Sequence, residues 1–295
     1  MRAASLFIVT VFLMAVCVPR GLLAQEAREP VPQPSSVAGE QKGDGAKSPE
    51  EPAVVTTGSI GFYNQYMFRG YQIGKDSLII QPSLSASYKG FSASFWGNID
   101  THEKATQNFT PDRPGRTSFN EADLTLSYTY VLNKWSFTGG YIYYNTKYMD
   151  ETQEFYGSVS WDVFAKPTLS IYRDVASYPG WYINLSLAQS FKVYKEVSLD
   201  LGAAFSYELG TGSYWDTYQA STGAYTGSKY SAFHSGMLSA GLTIPVTKKF
   251  SVQPMLAWWF PLSNDAKKRV DGNSYNPAGY LKYLWQGGVN CTYNF

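Results

Sequence analysis

The sequence predicts an all-β fold, a transmembrane antiparallel up-and-down barrel of about 12 strands. Three observations carry this. From Thr56 onward the 295-residue chain repeats segments in which apolar and polar side chains alternate, the two-residue period of a strand with one greasy and one wet face. The connections alternate between tight polar turns and longer loops, as in outer-membrane barrels. Aromatic content is high, with 24 Tyr, 17 Phe and 8 Trp, yet no apolar run long enough for a spanning helix follows the N-terminal stretch. A closed sheet is the remaining route through a bilayer.

Residues 1–24 read as a signal peptide. Arg2 precedes an apolar core from Leu6 to Val18, and Leu22-Leu23-Ala24 forms a cleavage site ahead of Gln25. Lipid attachment at Cys17 is disfavoured by bulky Val16, and removal of the segment leaves Cys291 alone, so no intramolecular disulfide can form. Residues 25–54 contain no aromatic and are rich in Pro, Glu, Gln, Gly and Lys. Such a segment cannot bury enough apolar surface to offset its ordering entropy, which predicts a disordered periplasmic linker ahead of a barrel over 55–295. Gly43 to Ser48 superficially resembles a phosphate loop, but Ala46 breaks the required Gly-Lys-Ser/Thr order. With 24 basic and 23 acidic side chains, nothing points to nucleic acid as a partner.

Taken in order, the first strand runs about Thr57 to Arg69, with Ile60, Phe62, Tyr66 and Phe68 on one face and Ser59, Tyr63, Gln65 and Arg69 on the other. The second ends in Ser83 to Tyr88, turns at Lys89-Gly90 and returns as Phe91 to Asp100, the clearest hairpin in the chain. The fourth strand, Glu121 to Tyr130, turns at Asn133-Lys134 into the fifth, Trp135 to Thr146. The sixth sets Phe155, Val159, Trp161 and Val163 against Glu154, Ser158, Ser160 and Asp162. The seventh, Thr168 to Asp174, is the shortest, and Arg173 on its apolar parity belongs beyond the hydrocarbon. Trp181 to Phe191 and Val197 to Glu208 follow, then a Gly-, Ser-, Thr- and Tyr-rich stretch from Gly210 to Lys229 that reads as a solvated loop. The tenth and eleventh strands are Ala232 to Ile244 and Phe250 to Phe260, with Pro254 predicting a bulge. The last strand, Leu281 to Phe295, is expected to close the sheet against Tyr66 to Gly70. A chain that stops on an apolar-facing Phe makes little sense as a loose tail.

If the apolar parity faces lipid, the other parity lines the interior. It gathers Asp100, Glu121, Asp123, Glu154, Asp162, Asp174, Asp200 and Glu208 against Arg69 and Lys282. Charges in a membrane protein need a wet or paired interior, so these ten are the candidate pore-lining residues, with Arg69 pairing lumen acids. The acid excess predicts a cation-preferring lumen unless Arg113, Arg116, Lys267, Lys268 and Arg269 fold inward; the alternative is an interior network that plugs the barrel. Twelve strands lie between the filled eight-stranded barrels and the open large porins. Each tight turn carries lysine (Lys89, Lys134, Lys166, Lys192 with Lys195, Lys248 with Lys249), which suits either polar turns in general or anionic headgroups.

Chemistry-bearing constellations are thin. His102 and His234 are the two histidines, and although Ser235 adjoins His234, neighbours on a regular strand point to opposite faces. Two His without a Cys pair give no metal-ligand spacing. No catalytic residue, metal or cofactor is expected.

Asn64-Gln65-Tyr66-Met67-Phe68-Arg69-Gly70, then Gln81-Pro82-Ser83-Leu84 and Tyr88-Lys89-Gly90-Phe91 to Trp96-Gly97-Asn98, resemble the TorF-like porin family of conserved hypothetical bacterial proteins. Tyr66, Phe68, Arg69 and Gly70 carry its Y-x-F-R-G piece. The match covers the first three strands, is one of pattern afterwards, and does not include the Pro-rich linker. The resemblance implies a porin-type barrel of the bacterial outer membrane, with little assigned substrate chemistry. The expectation is a channel for passive diffusion of small polar or cationic solutes, with outer-membrane lipids and the barrel-assembly machinery as partners. A non-conducting structural or adhesion scaffold is the alternative, and a lipid-modifying enzyme the third. Tyr293 and Phe295 resemble the C-terminal aromatic signal that assembly machinery recognises.

Overall fold

A computed structural model describes residues 53–219, 222–268 and 280–295. The expected signal peptide, nearly all of the expected linker and Arg269 lie outside them. The strands are β1 (Val55–Phe68), β2 (Tyr71–Tyr88), β3 (Phe91–Asp100), β4 (Ser118–Leu132), β5 (Trp135–Thr146), β6 (Thr152–Trp161), β7 (Thr168–Asp174), β8 (Gly180–Tyr194), β9 (Val197–Gly210), β10 (Asp216–Tyr218), β11 (Tyr225–Lys229), β12 (Ser231–Pro245), β13 (Phe250–Pro261) and β14 (Leu284–Asn294), with a single helical turn α1 (Asn264–Lys268) after β13. Twelve of them close an antiparallel barrel in the order β1-β14-β13-β12-β9-β8-β7-β6-β5-β4-β3-β2, while β10 and β11 form a separate ribbon.

The predicted transmembrane barrel is the observed fold, and the alternation explains it. Phe91, Phe95, Leu124, Leu126, Phe155, Leu185, Leu238 and Leu256 point outward and are exposed. A continuous apolar exterior on every strand is tolerable only in lipid. At the tight-turn end, rings meet across strands: Phe91 and Tyr128 at 4.7 Å, Trp135 and Trp161 stacked at 5.1 Å, the amphipathic girdle of an interface. The turns there use left-handed backbone, as Lys89 and Gly90 at φ 49 and 87 show. Paired positive φ values match the strand twist of a two-residue hairpin.

Four expectations change. The stretch after Gly210 is solvated only in part: a 3-10 turn at Ser213–Trp215 buries Trp215, while the β10-β11 ribbon is half-exposed to exposed. Pro254 causes no bulge, because it keeps register with Val289 on β14 while the β12 ladder skips Leu242 and Thr243. The missing proline N–H is absorbed by a local gap in one ladder.

The third and fourth changes concern β1 and β2. β14 pairs with β1 only over Thr57 to Tyr63, and β3 pairs with β2 only from Ile79 onward. Residues 64–78 therefore leave the wall on both sides, pair with each other, and turn into the lumen as the tip of a long hairpin. Register shifts between Tyr63 and Gln65 and between Tyr66 and Met67 bend it, since β2 inserts extra residues at each, Asp76 among them at φ 48. Because this segment lies inside the barrel, both of its faces are interior and Gln65, Tyr66 and Met67 are all buried. Tyr66 and Phe68, expected on the lipid face, point inward, with the Tyr66 hydroxyl donating to Glu121 at 2.8 Å and the Phe68 ring 6.3 Å from Tyr144. The closing pair is β1-β14 as expected, but through the Thr57 to Tyr63 half rather than Tyr66 to Gly70.

The hairpin tip fills the long-loop half of the barrel. Met67 packs with Ala204, Met237, Ala257 and Trp259, and Tyr63 and Tyr66 pack with Ile79. In the tight-turn half, the inward Ser92, Ser94, Ser127, Thr129, Thr138 and Ser158 are small, polar and only half-buried. The barrel is packed at one end and open to water at the other.

Candidate functional site

The tip of the hairpin turns at Arg69 and Gly70, at φ 50 and 85. A Cβ on Gly70 would lie 2.5 Å from Ser235 Cβ, so only glycine lets the tip approach β12 this closely. From there Arg69 reaches across the lumen to β6, where its two terminal nitrogens donate to the two Glu154 oxygens at 2.7 and 2.8 Å. The Tyr144 hydroxyl donates to Glu154 Oε2 at 2.8 Å and fixes the carboxylate. The guanidinium carbon lies 4.3 Å from the Tyr182 ring centre, 4.7 Å from Tyr172 and 4.9 Å from Phe68. A buried ion pair holds only when its geometry and surroundings offset desolvation; the bidentate fork and the ring faces contribute to this, while the Arg69 Nε has no hydrogen-bond partner among the described residues. The tyrosines stand on adjacent rungs, Tyr156 opposite Tyr172 and Tyr172 opposite Tyr182.

The other side of the tip is held by β9 and β12. Tyr71 donates to Glu208 Oε2 at 2.8 Å, and His234 Nε2 lies 3.1 Å from the same oxygen and 3.0 Å from the Arg69 carbonyl. Both partners of Nε2 are acceptors, so that nitrogen carries the proton, and in the neutral ring Nδ1 accepts from the Tyr230 hydroxyl at 2.8 Å. His234 and Ser235 both face inward, against expectation, because the β12-β9 register shifts between Phe233 and Gly236. A bulge removes the alternation on which the expectation rested. Ser235 Oγ meets Ser206 Oγ at 2.9 Å. His102 is exposed in the loop after β3.

Of the predicted lumen residues, Arg69, Asp100, Glu121, Asp123, Glu154, Asp174, Asp200 and Glu208 are all buried. Asp174 accepts from the Thr152 hydroxyl at 2.6 Å and from the Ala176 and Tyr178 amides; Asp100 accepts from the His102 amide at 2.9 Å. Asp200, in the tight-turn half, accepts from Gln253 at 2.7 Å, from Ser190 at 3.1 Å and from Thr243. Two placements are corrected. Asp162 is exposed in the turn just past the end of β6, where the strand has left the wall and parity no longer aims it inward. Lys282 is exposed ahead of the first residue of β14, its ammonium 5.2 Å from the Tyr280 ring centre; Gln286 is the buried inward residue of that strand. The loop bases Arg113, Arg116 and Lys267 are exposed and do not neutralise the interior. Glu103, missed because it sits in a loop, is buried and accepts from Asn120 at 3.0 Å and Tyr148 at 2.5 Å.

Above the tip lies an open-mouthed cavity of about 130 Å³, lined among others by Arg69, Glu154, Tyr144, Tyr182, Trp181 and Trp215. The Trp215 indole donates to the Tyr178 carbonyl at 3.1 Å, tying the loop after β9 over this space. Burial beneath these loops pushes the Tyr178 phenol up to about 12. The tyrosines around Arg69 and Glu154 carry a signal in the sequence, Tyr144, Tyr172 and Tyr182 on the wet parity of neighbouring strands, and the loop anchor is a Tyr-Trp pair, Tyr214-Trp215, in an otherwise polar stretch.

No family model matches the chain, and no curated protein matches it in sequence. Among solved structures, the COG4313 outer membrane channel from Pseudomonas putida F1 aligns with a TM-score of 0.47 and 9% identity, over 85% of this chain and 100% of that one. The NanC porin aligns at 0.46 and 10% identity, over 82% and 100%. An outer membrane phospholipase dimer from Salmonella typhi aligns at 0.41 and 16% identity, over 85% and 94%. Sequence identity to each of them is low.

Proposed function

We propose that this chain is a bacterial outer-membrane channel for passive diffusion of small polar or cationic solutes, with the infolded β1-β2 hairpin as its constriction. The observation that carries the reading is the interior itself. Seven predicted acids are buried along the inward face and Glu103 in the loop after β3, and Arg69 is the one buried arginine or lysine among the described residues. Carboxylates inside a membrane-embedded shell are tolerable where water or cations reach them, and a ring of them biases permeation toward cations. The Ser- and Thr-lined half supplies the wet path. Short turns face the periplasm and long loops the outside in such barrels, so the vestibule opens outward. The TorF-like resemblance of the first three strands agrees with this reading.

Tyr293 and Phe295 are proposed as the assembly signal. Both lie exposed at the barrel's closing seam with rings 5.1 Å apart, and the Phe295 amide donates to the Thr56 carbonyl at 3.1 Å. We assign no catalytic role.

Reversal potentials in planar bilayers under a salt gradient test the channel. Cation preference is expected, and anion preference overturns it. The packed long-loop half favours one second reading, a non-conducting scaffold, which gains support if liposomes carrying the protein fail to swell in any small sugar.

A further inference from the structure

We infer that Glu154, Tyr144, Tyr172 and Tyr182 form a receptor for guanidinium-bearing small solutes, which the Arg69 side chain occupies as a tethered surrogate. All four receptor residues belong to the wall, on β5 to β8. Only the occupant comes from the hairpin. The site matches a planar fork rather than a point charge: Glu154 accepts two parallel bonds, and ring centres at 4.3 and 4.7 Å cover the flat cation. An ammonium would satisfy one oxygen and leave the other. Tyr144 holds the carboxylate independently of the hairpin, so the site is preorganised when Arg69 departs. The cavity above the tip is lined by Arg69, Glu154, Tyr144 and Tyr182 together, so a solute entering it meets the site once the Arg69 side chain moves. Residues 64–78 pair in no ladder with a wall strand and are held by side-chain contacts such as Tyr66 to Glu121 and Tyr71 to Glu208. Exchange of solute for Arg69 would loosen the tip. Only that consequence for conduction rests on the channel reading; binding does not.

The test is calorimetric titration of methylguanidinium into the full mature protein refolded in detergent. Arg69→Ala should bind one equivalent, about tenfold or more tighter than methylammonium, because the fork makes two charge-assisted bonds. Arg69→Ala with Glu154→Gln should lose about tenfold of that affinity. Equal affinity for the two cations, or no loss with Glu154→Gln, overturns the inference. Arg69→Met, which keeps the apolar stem, is the second variant should alanine misfold. The wild type gives an independent arm: methylguanidinium should accelerate hydrogen exchange at residues 64–78 while methylammonium does not, and identical exchange overturns the inference. A barrel that binds methylguanidinium but never conducts would remove the channel reading and leave the site; one that conducts without the preference would do the reverse.

Discussion

Gln286 and Gln65 close the slit that the departing hairpin leaves in the wall. Gln286 Nε2 donates to the Gln65 carbonyl at 3.0 Å, Gln65 Nε2 donates to the Trp285 carbonyl, and Asn64 Oδ1 accepts from the Gly287 amide at 2.9 Å. Side chains thus replace the ladder at the point where β1 stops pairing with β14. Replacing Gln286 by Ala leaves buried polar groups without partners, at about 1–3 kcal/mol. The expected result is faster hydrogen exchange over residues 64–68 with the rest of the barrel unchanged. Exchange that rises equally in every strand would show that the seam is not local.

Glu154→Gln removes the charge opposite Arg69 but keeps the shape. Breaking one side of a buried ion pair costs about 3–5 kcal/mol, because the remaining charge stays buried. The variant should denature at lower temperature and let larger sugars swell liposomes. Unchanged swelling together with lower stability would mean that the hairpin does not limit permeation. Because the pair is buried, the wild-type property should vary little with salt.

The barrel was legible because its signal is redundant: Leu84, Ala93, Phe95, Leu124 and Leu126 repeat one period on strand after strand, and a closed sheet has one way to satisfy it. The acidic interior followed from the same parity. What failed, failed where the period breaks or the chain leaves the wall. His234 and Ser235 were assigned by alternation across a register shift on β12, where a single inserted residue moves a side chain to the other face, and Tyr66 and Phe68 were assigned to a wall that β1 has left after Tyr63. The path of residues 64–78 into the lumen was hidden for a related reason. An alternating hairpin reads the same whether it continues the wall or bends off it, and the bend is decided by contacts with β6, β9 and β12 that lie far away in sequence. Arg69 with a lumen acid was foreseeable as chemistry, whereas its choice of Glu154 depended on that path.

Two glycines at equivalent turns separate gating from stability. Gly70 and Gly90 both have positive φ, and a Cβ on each would crowd Ser235 Cβ at 2.5 Å or the Thr129 carbonyl at 2.6 Å. Strain of this kind costs about 1–3 kcal/mol. Gly70→Ala should push the tip away from β12 and increase single-channel conductance. Gly90→Ala, at the opposite end, should lower thermal stability and leave conductance as it was. Conductance changes of the same size in both would remove the tip's special role.

Deleting Phe295 distinguishes a structural tail from an address. In the fold, Phe295 contributes one backbone bond to Thr56 and an exposed ring, 68% accessible, against Tyr293. Losing a single edge hydrogen bond costs about 1 kcal/mol, too little to unfold a closed barrel. Refolding of the shortened chain into detergent should therefore proceed as in the wild type. In cells, secretion to the periplasm should continue while the amount inserted in the outer membrane falls severalfold. If refolding in detergent fails as well, the residue acts through stability; if membrane levels are normal, Tyr293 and Phe295 are not the assembly signal.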